Sequence, residues 1–392
     1  MYDLTALREE FPVLSRCIYL DSASTSQTPR CAVAAMNRYF FDYAANHGRG
    51  AHHLARRTTE EYERTRQVLG EFLGVPAANL VFTRNTTEAI NLVARGICWE
   101  KGDEIITTDL EHHANLLPWL ALRERGVRVK VLPQREGYVT AEALQEALSP
   151  ATRLVAVNHV TNVLGTVQPV EEFARISRDA GAAILVDAAQ SAGHMPIPPT
   201  DTFDYLALPG HKGLLGPQGT GALYIADPES LAVSCYGGGM VEEVTLERFT
   251  LLPCPARFEP GTPNIPGVIG LGPAIALVTR LDVDAVHDHE TALGDLLRKG
   301  LLGIPGVTVY SPAGTTVISF NIDGKGPDLV ALLLDQKAGI CVRSGMHCAQ
   351  PLSRALNPRG TVRASIGCYN TGDEVEALLS AVRGLAGPKR ER

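Results

Sequence analysis

Seven short, largely apolar runs, at residues 80–83, 104–108, 127–132, 154–160, 183–187, 205–208 and 222–225, recur through the first part of this 392-residue chain. Each has the length of a strand, and patterns of helical period lie between several of them, as at 88–94 and 170–179. Strands alternating with helices predict an α/β fold built on an open, mostly parallel sheet. Ligands on such sheets bind beyond the carboxyl ends of the strands. Residues of chemical interest are therefore sought where the runs stop.

After residue 225 the texture changes. Gly237-Gly238-Gly239 and the Pro-rich stretch 253–266 read as long ordered loops. Helical patterns at 275–281 and 287–302 follow, then strand patterns at 307–310, 316–322 and 339–342 beside a helix at 329–336. The length exceeds what one core usually supports, so the expected organisation is a large domain over 16–265 and a smaller α+β domain over 266–392. An N-terminal segment, 1–15, with a helix at 4–11, is expected to pack on the smaller one.

The bulk composition sets limits. A hydrophobic fraction of 45%, a charged fraction of 20% and a net charge of −7 describe an ordinary globular protein, with no call for nucleic acid as a partner. No apolar stretch reaches the roughly 18 residues of a membrane span, and the first residues lack a signal-peptide layout. The expectation is a cytoplasmic protein with no membrane partner, which makes the glycosylation match at Asn85-Thr86-Thr87 a chance one. Lys389 to Arg392 reads as a frayed tail. The eight cysteines are scattered, without zinc-type pairs or the density of a disulfide scaffold, and most read as small buried apolar residues.

Two strand ends carry the chemistry. Leu206-Ala207-Leu208 runs into Pro209-Gly210-His211-Lys212-Gly213, which delivers an amine among glycines. Ala183 to Val186 ends in Asp187, with Gln190 three positions on. A lysine to form a Schiff base and an acid to keep a ring nitrogen protonated are what pyridoxal phosphate (PLP) requires. Thr86-Thr87-Glu88 reads as a capped helix start after strand 80–83, with free N–H groups that suit a phosphate. His112 follows strand 104–108 and can lie over a cofactor ring or be a plain loop histidine. With His113 adjacent, the pair lacks the i, i+4 spacing of helix-borne metal ligands, so no metal is expected. Asn162, at the end of run 154–160, can bond a ring oxygen or substrate, or simply make a turn.

Taken together, His211-Lys212, Asp187-Ala188-Ala189-Gln190, Glu111-His112-His113-Ala114-Asn115, Arg257-Phe258-Glu259-Pro260-Gly261-Thr262-Pro263-Asn264 and Arg343-Ser344-Gly345-Met346-His347-Cys348-Ala349 closely resemble the Suf-type, group II cysteine desulfurases. These belong to the class V aminotransferase-like PLP enzymes. The resemblance extends from Tyr19-Leu20-Asp21-Ser22-Ala23 to Tyr369-Asn370. It implies the type I PLP-transferase fold, with a seven-stranded sheet in the large domain. It also implies that Lys212 carries the cofactor, Asp187 pairs with the pyridine nitrogen, His112 stacks on the ring, and Asn162 and Gln190 address its oxygen. Thr86, Thr87 and His211 would hold the phosphate, joined by Gly261 and Thr262 from the other subunit of a homodimer. Arg363 would bind the substrate carboxylate, with Ala23, Asn162 and Arg343 nearby.

Cys348 separates this branch from ordinary aminotransferases. A lone cysteine is more often inert core, but Gly345 and the polar or cationic Arg343, Ser344 and His347 describe a loop where thiolate is favoured. Cys341 reads as core. The implied reaction takes sulfur from L-cysteine as a Cys348 persulfide, releases L-alanine, and passes sulfur to an acceptor protein for iron–sulfur cluster or thio-cofactor assembly. Three positions depart from the usual pattern: Pro209 replaces a phosphate-touching serine, Met346 stands where a histidine is common, and Gly48 is inserted in His47-Gly48-Arg49-Gly50, a loop expected near the substrate entrance. Selenocysteine lyase, with L-selenocysteine as substrate, another class V lyase, epimerase or aminotransferase, and a non-catalytic scaffold are the rival readings.

Overall fold

The computed structural model describes residues 2–48 and 50–387. Arg49 of the inserted loop and the Lys389 to Arg392 tail lie outside the described residues. The chain begins with α1 (Leu4–Glu9), α2 (Arg30–Arg38) and α3 (His53–Leu73), then enters a seven-stranded sheet. Its strands are β1 (Leu80–Thr83), β2 (Glu104–Thr108), β3 (Arg128–Leu132), β4 (Thr152–Asn158), β5 (Ala183–Asp187), β6 (Tyr205–Pro209) and β7 (Gly221–Ile225). The spatial order is β1-β7-β6-β5-β4-β2-β3. All neighbours run parallel except β7, which is antiparallel to both β1 and β6.

Both faces of this sheet are buried, which is why its strands read as apolar runs rather than alternating ones. On β5, Ile184 and Val186 enter one apolar cluster and Leu185 the other. The first cluster is closed by Tyr62 and Leu69 of α3, by α5 (Val170–Asp179), and by Val268 and Leu271 of α6 (Ile265–Leu281). The second is closed by Ile90 and Val93 of α4 (Thr86–Gly96). Each fully buried Leu, Ile or Val contributes about 1.5–3 kcal/mol, so two covered faces make the sheet a firm base for the turns at its strand ends.

A second core follows α6. It comprises α7 (Val283–Leu302), α8 (Pro327–Ala338), α9 (Gly372–Ala386) and a four-stranded antiparallel sheet of β8 (Val307–Val309), β9 (Val317–Ile322), β10 (Arg343–Gly345) and β11 (Thr361–Ser365), in the order β8-β9-β11-β10. Leu297 of α7, Phe320 of β9, Leu334 of α8 and Leu378 of α9 meet in its centre. Helix α6, placed with the smaller domain by the sequence, packs against α2 and α3 instead. The change from one core to the other falls at Asp282, whose φ of +68° turns the chain between α6 and α7. Leu7, Phe11 and Leu14 of the N-terminal segment join Leu277 and Leu281 of α6 and Tyr369 at this seam.

The cysteines differ from expectation. Among the described residues only Cys368 is buried, while Cys98 and Cys235 are exposed and the rest are half-buried, Cys341 included. Cys98 follows the end of α4 and Cys235 precedes the Gly-rich segment, both on the surface rather than inside a packed element. No single helix among the described residues is long and apolar enough to cross a membrane, and no cluster of His, Cys, Asp and Glu side chains among them is placed to hold a metal ion.

Candidate active site

A cavity of about 260 Å³ opens at the carboxyl ends of β2, β4, β5 and β6, under the second core. Asp187 is the last residue of β5, and Lys212 follows β6 by a turn in which the Leu215 N–H bonds the Lys212 carbonyl at 2.8 Å. Both line the cavity; Asp187 is buried and Lys212 half-buried. Burial pushes the Lys212 ammonium down to about 8, with Arg363 and Arg343 adding to it and Asp187 opposing. Burial also pushes the Asp187 carboxyl up, against a 2.9 Å hydrogen bond from the Ala189 N–H and the nearby Lys212. Burial disfavours the charged form of each, so each gains from a partner of opposite charge in the cavity.

His112 forms part of the wall. Its Nδ1 accepts the Ala114 N–H at 3.0 Å, which places the proton of the neutral ring on Nε2. Burial, with Lys212 next in weight, pushes this imidazole down to about 3, so the ring is a neutral plane at ordinary pH. At the phosphate end the structure revises the capping. Asn85, not a threonine, is the N-cap of α4, its Oδ1 accepting the Glu88 N–H at 2.9 Å. Thr86 and Thr87 are the first helical residues and line the cavity with it. His211 lies beside them, and Pro209 occupies the cavity wall at the end of β6.

The second core closes the other side with Arg343 from β10 and Arg363 from β11, and Cys348 lies against Arg343 in the loop that follows β10. Arg363 is fully buried; its Nη1 donates to the Asn162 carbonyl at 2.8 Å, and its Nη2 to Ser24 Oγ at 2.8 Å and Asp21 Oδ1 at 3.2 Å. Arg343 Nη1 donates to the same Ser24 Oγ at 3.0 Å, and its Nη2 to Cys348 Sγ at 3.5 Å. One hydroxyl thus ties the two guanidinium groups together. Cys348 and His347 have φ of +55° and +50°, a conformation strained for side chains of this kind, and the Cys348 carbonyl accepts the His113 N–H at 2.7 Å.

The surroundings of Cys348 are less cationic than the sequence implied. His347 is buried, bonded through Nε2 to Thr361, and burial pushes it down to about 3, so it brings no charge. Ser344 turns away to Asp328, with a 2.7 Å hydrogen bond. Arg343 is left as the cation on the sulfur. Met346 contributes only its carbonyl, which Ala349 and Ser353 bond. Asn162 lies beyond the end of β4, which stops at Asn158, and its Nδ2 donates to the His347 carbonyl at 2.7 Å. Gln190 donates to the Ala23 carbonyl at 2.9 Å, which holds both residues at the cavity wall.

Gly261 and Thr262 are exposed and line a different cavity, of about 310 Å³, together with Gly48. Within one chain they are not brought to Lys212, and neither is Gly48, so the loop expected at the entrance is a neighbour of Gly261 instead. Three contributors were missed by the sequence reading. Ser24 and Asp21 wire the arginines. Glu111 lies buried behind the wall, its carboxylate accepting from Thr108 Oγ1, Asn115 Nδ2, and the backbone and side chain of Asn158. Burial pushes Glu111 up to about 7, yet all four partners donate to it, which fits the anion.

The class V aminotransferase family model matches residues 18–378. The chain belongs to this family. A probable cysteine desulfurase of Methanothermobacter thermautotrophicus is 44% identical over 97% of this chain and 98% of the relative, and one of Pyrococcus abyssi is 39% identical over 97% and 96%. Among solved structures, the apo cysteine desulfurase of Thermococcus onnurineus superposes with a TM-score of 0.94 at 39% identity, covering 98% of each chain. The Escherichia coli cysteine desulfurase CsdA gives 0.91 at 34%, covering 97% of this chain and 98% of the other. The class V cofactor, PLP, fits the residues present: among the described residues, His211 Nδ1, Asn162 Oδ1 and Arg363 Nε are buried without a partner, all on residues that line the cavity. Buried polar atoms left open in this way are expected where a polar ligand completes them.

Proposed function

We propose that the protein is a PLP-dependent cysteine desulfurase that takes sulfur from L-cysteine, holds it as a persulfide on Cys348 and releases L-alanine. The observation that carries this reading is the Arg343 Nη2 to Cys348 Sγ contact, 3.5 Å, made by an arginine that lines the same cavity as Lys212 and Asp187. A class V enzyme with another chemistry has no need of a thiol paired with a guanidinium there.

When bound, the cofactor supplies an electron sink for the negative charge that develops on the substrate's carbon atoms. Lys212 would be the residue that holds it, and its Nζ would move the substrate's α-proton. Asp187 would keep the ring nitrogen protonated. His112, neutral and flat, would lie against the ring and keep water from it, and Thr86, Thr87 and His211 Nδ1 would hold the phosphate. Arg363 offers Nε, its free donor, to the substrate carboxylate. The Cys348 thiolate, held by Arg343, bonds to the substrate sulfur as the carbon–sulfur bond breaks. The electron pair of that bond stays with the β-carbon, which is protonated to the methyl group of alanine. Thiol plus L-cysteine becomes persulfide plus L-alanine, with no outside oxidant or reductant.

The same reading includes a homodimer in which Gly261 and Thr262 of each protomer complete the other's phosphate site, and a sulfur-acceptor protein. The exposure of both residues, away from their own cavity, supports the exchange. The test is mass spectrometry of the PLP-loaded protein after L-cysteine. The expected result is one added sulfur atom mapped to Cys348, with alanine released. A sulfur on another cysteine, or none, overturns the reading, and a strong preference for L-selenocysteine in the same assay replaces it with selenocysteine lyase.

A further inference from the structure

Behind the cavity, on the side facing the second core, His194 and Glu290 form a buried hydrogen-bonded pair that takes no part in the chemistry above. His194 Nδ1 lies 2.9 Å from Glu290 Oε2 and 3.2 Å from Oε1, with the Glu290 side chain almost wholly enclosed. Glu290 sits on α7, whose Leu293, Leu297 and Leu301 are fixed in the second core. His194 belongs to the first core. It ends the tight turn that starts at Asp187, in which Ala192 N–H bonds the Ala188 carbonyl at 3.0 Å and His194 N–H the Ser191 carbonyl at 2.9 Å.

The far edge of the His194 ring abuts the residue after the lysine. A Cβ at Gly213 would stand 2.7 Å from His194 Cδ2 and 2.3 Å from the Ala192 carbonyl oxygen. A Cβ at Gly193 would stand 2.3 Å from the Gly213 carbonyl group. The turn that follows Asp187 and the turn that follows Lys212 thus interlock backbone to backbone, with the imidazole wedged against their junction. A buried polar pair is a poor source of stability beside well-packed apolar groups of the same size, because both partners lose their hydration. Its value at this place is directional. The carboxylate fixes the ring, and the ring fixes the height of the Gly213 backbone.

We propose that His194 and Glu290 are positioning residues for Lys212: held from α7, the imidazole sets the separation between the Lys212 amine and the Asp187 carboxylate. The inference rests on the PLP-enzyme reading and adds a link by which the second core controls where the reacting amine stands. A displacement on the order of 1 Å at a reacting group costs up to about a hundredfold in rate.

The test mixes PLP with cofactor-free protein and follows visible absorbance as the cofactor attaches to Lys212, then titrates the absorbance of the loaded protein with pH. Glu290→Gln keeps the size and one hydrogen-bonding oxygen but removes the charge, and His194→Asn removes the wedge. Both variants are expected to attach PLP about tenfold more slowly and to show a displaced titration midpoint, even where thermal unfolding is unchanged. Either variant suffices if the other is not recovered folded. Variants that melt lower yet attach and titrate as the wild type does would show a merely structural pair and overturn the proposal. Failure of the wild type to attach PLP would sink both readings, whereas normal attachment in wild type and variants alike sinks only this one.

Discussion

Lys212 and Cys348 are each held ready by neighbours that the sequence places far away. Attachment of PLP needs the neutral amine, and burial brings the Lys212 ammonium from the usual 10.5 to about 8. Because the neutral fraction rises with pH, the attachment rate of the cofactor-free protein should climb through a midpoint near 8 and level off above it; a climb that continues to 10.5 would mean the amine is not desolvated. Replacing Cys348 by Ser should lower sulfur release from L-cysteine at least about a hundredfold while PLP attachment stays normal, since the thiol is needed only after the cofactor is in place. Assays of alanine and of absorbance on one preparation separate the two. The residues proposed for this chemistry stood out in the sequence because each follows a strand run or sits in a distinctive short motif. Ser24, Asp21 and Glu111 were not, because nothing local marks a hydroxyl that bridges two arginines 20 residues apart, Arg343 and Arg363. The neutral state of His347 was equally hidden, since burial decides it and burial is a property of the fold.

The same division holds for elements. All seven strands of the main sheet were read from their apolar runs, with ends shifted by up to two residues, as at β4, which spans Thr152–Asn158. Helix α3 escaped because its inward stripe is partly polar: Thr58, Thr65 and Arg66 are buried alongside Tyr62 and Leu69. Arg66 reaches Glu259 at 2.6 Å, and Glu259 accepts the Phe82 N–H of β1 at 2.6 Å, so the helix grips the sheet edge and the segment leading to Gly261 through one carboxylate. Arg66→Ala should cost about 3–5 kcal/mol in denaturant unfolding, because it strands a buried carboxylate; a loss under 1 kcal/mol would mean water already satisfies Glu259. Asn85→Ala, which removes the cap of α4, should cost about 1 kcal/mol and weaken PLP retention as well, measured by dialysis. Helix α6 was assigned to the wrong neighbour because it is apolar on nearly every side, so its composition carries no sign of which core it faces. Helix α9 had a readable start, the capping box of Thr371 and Glu374, and went unread.

At the scale of the molecule, the cavity takes Lys212, Asp187 and His112 from one core and Arg343 and Arg363 from the other, with Cys348 behind Arg343, while Gly261 and Thr262 line a different cavity. If two protomers share their phosphate sites as proposed, Thr262→Ala should leave the mass in solution at that of a dimer and raise PLP loss on dilution several-fold. Unchanged retention, or a monomeric wild type by light scattering, would refute the sharing. The division into two cores was foreseeable from length and from the change of texture past residue 225; its position at Asp282 was not, since contacts between distant helices decide it. The left-handed bend at His347-Cys348, stitched by its carbonyl to the His113 amide, leaves the thiol a very short leash. If a cargo atom is parked there as proposed, a tether this short favours a collector that reaches in and does the fetching at the cavity's doorstep.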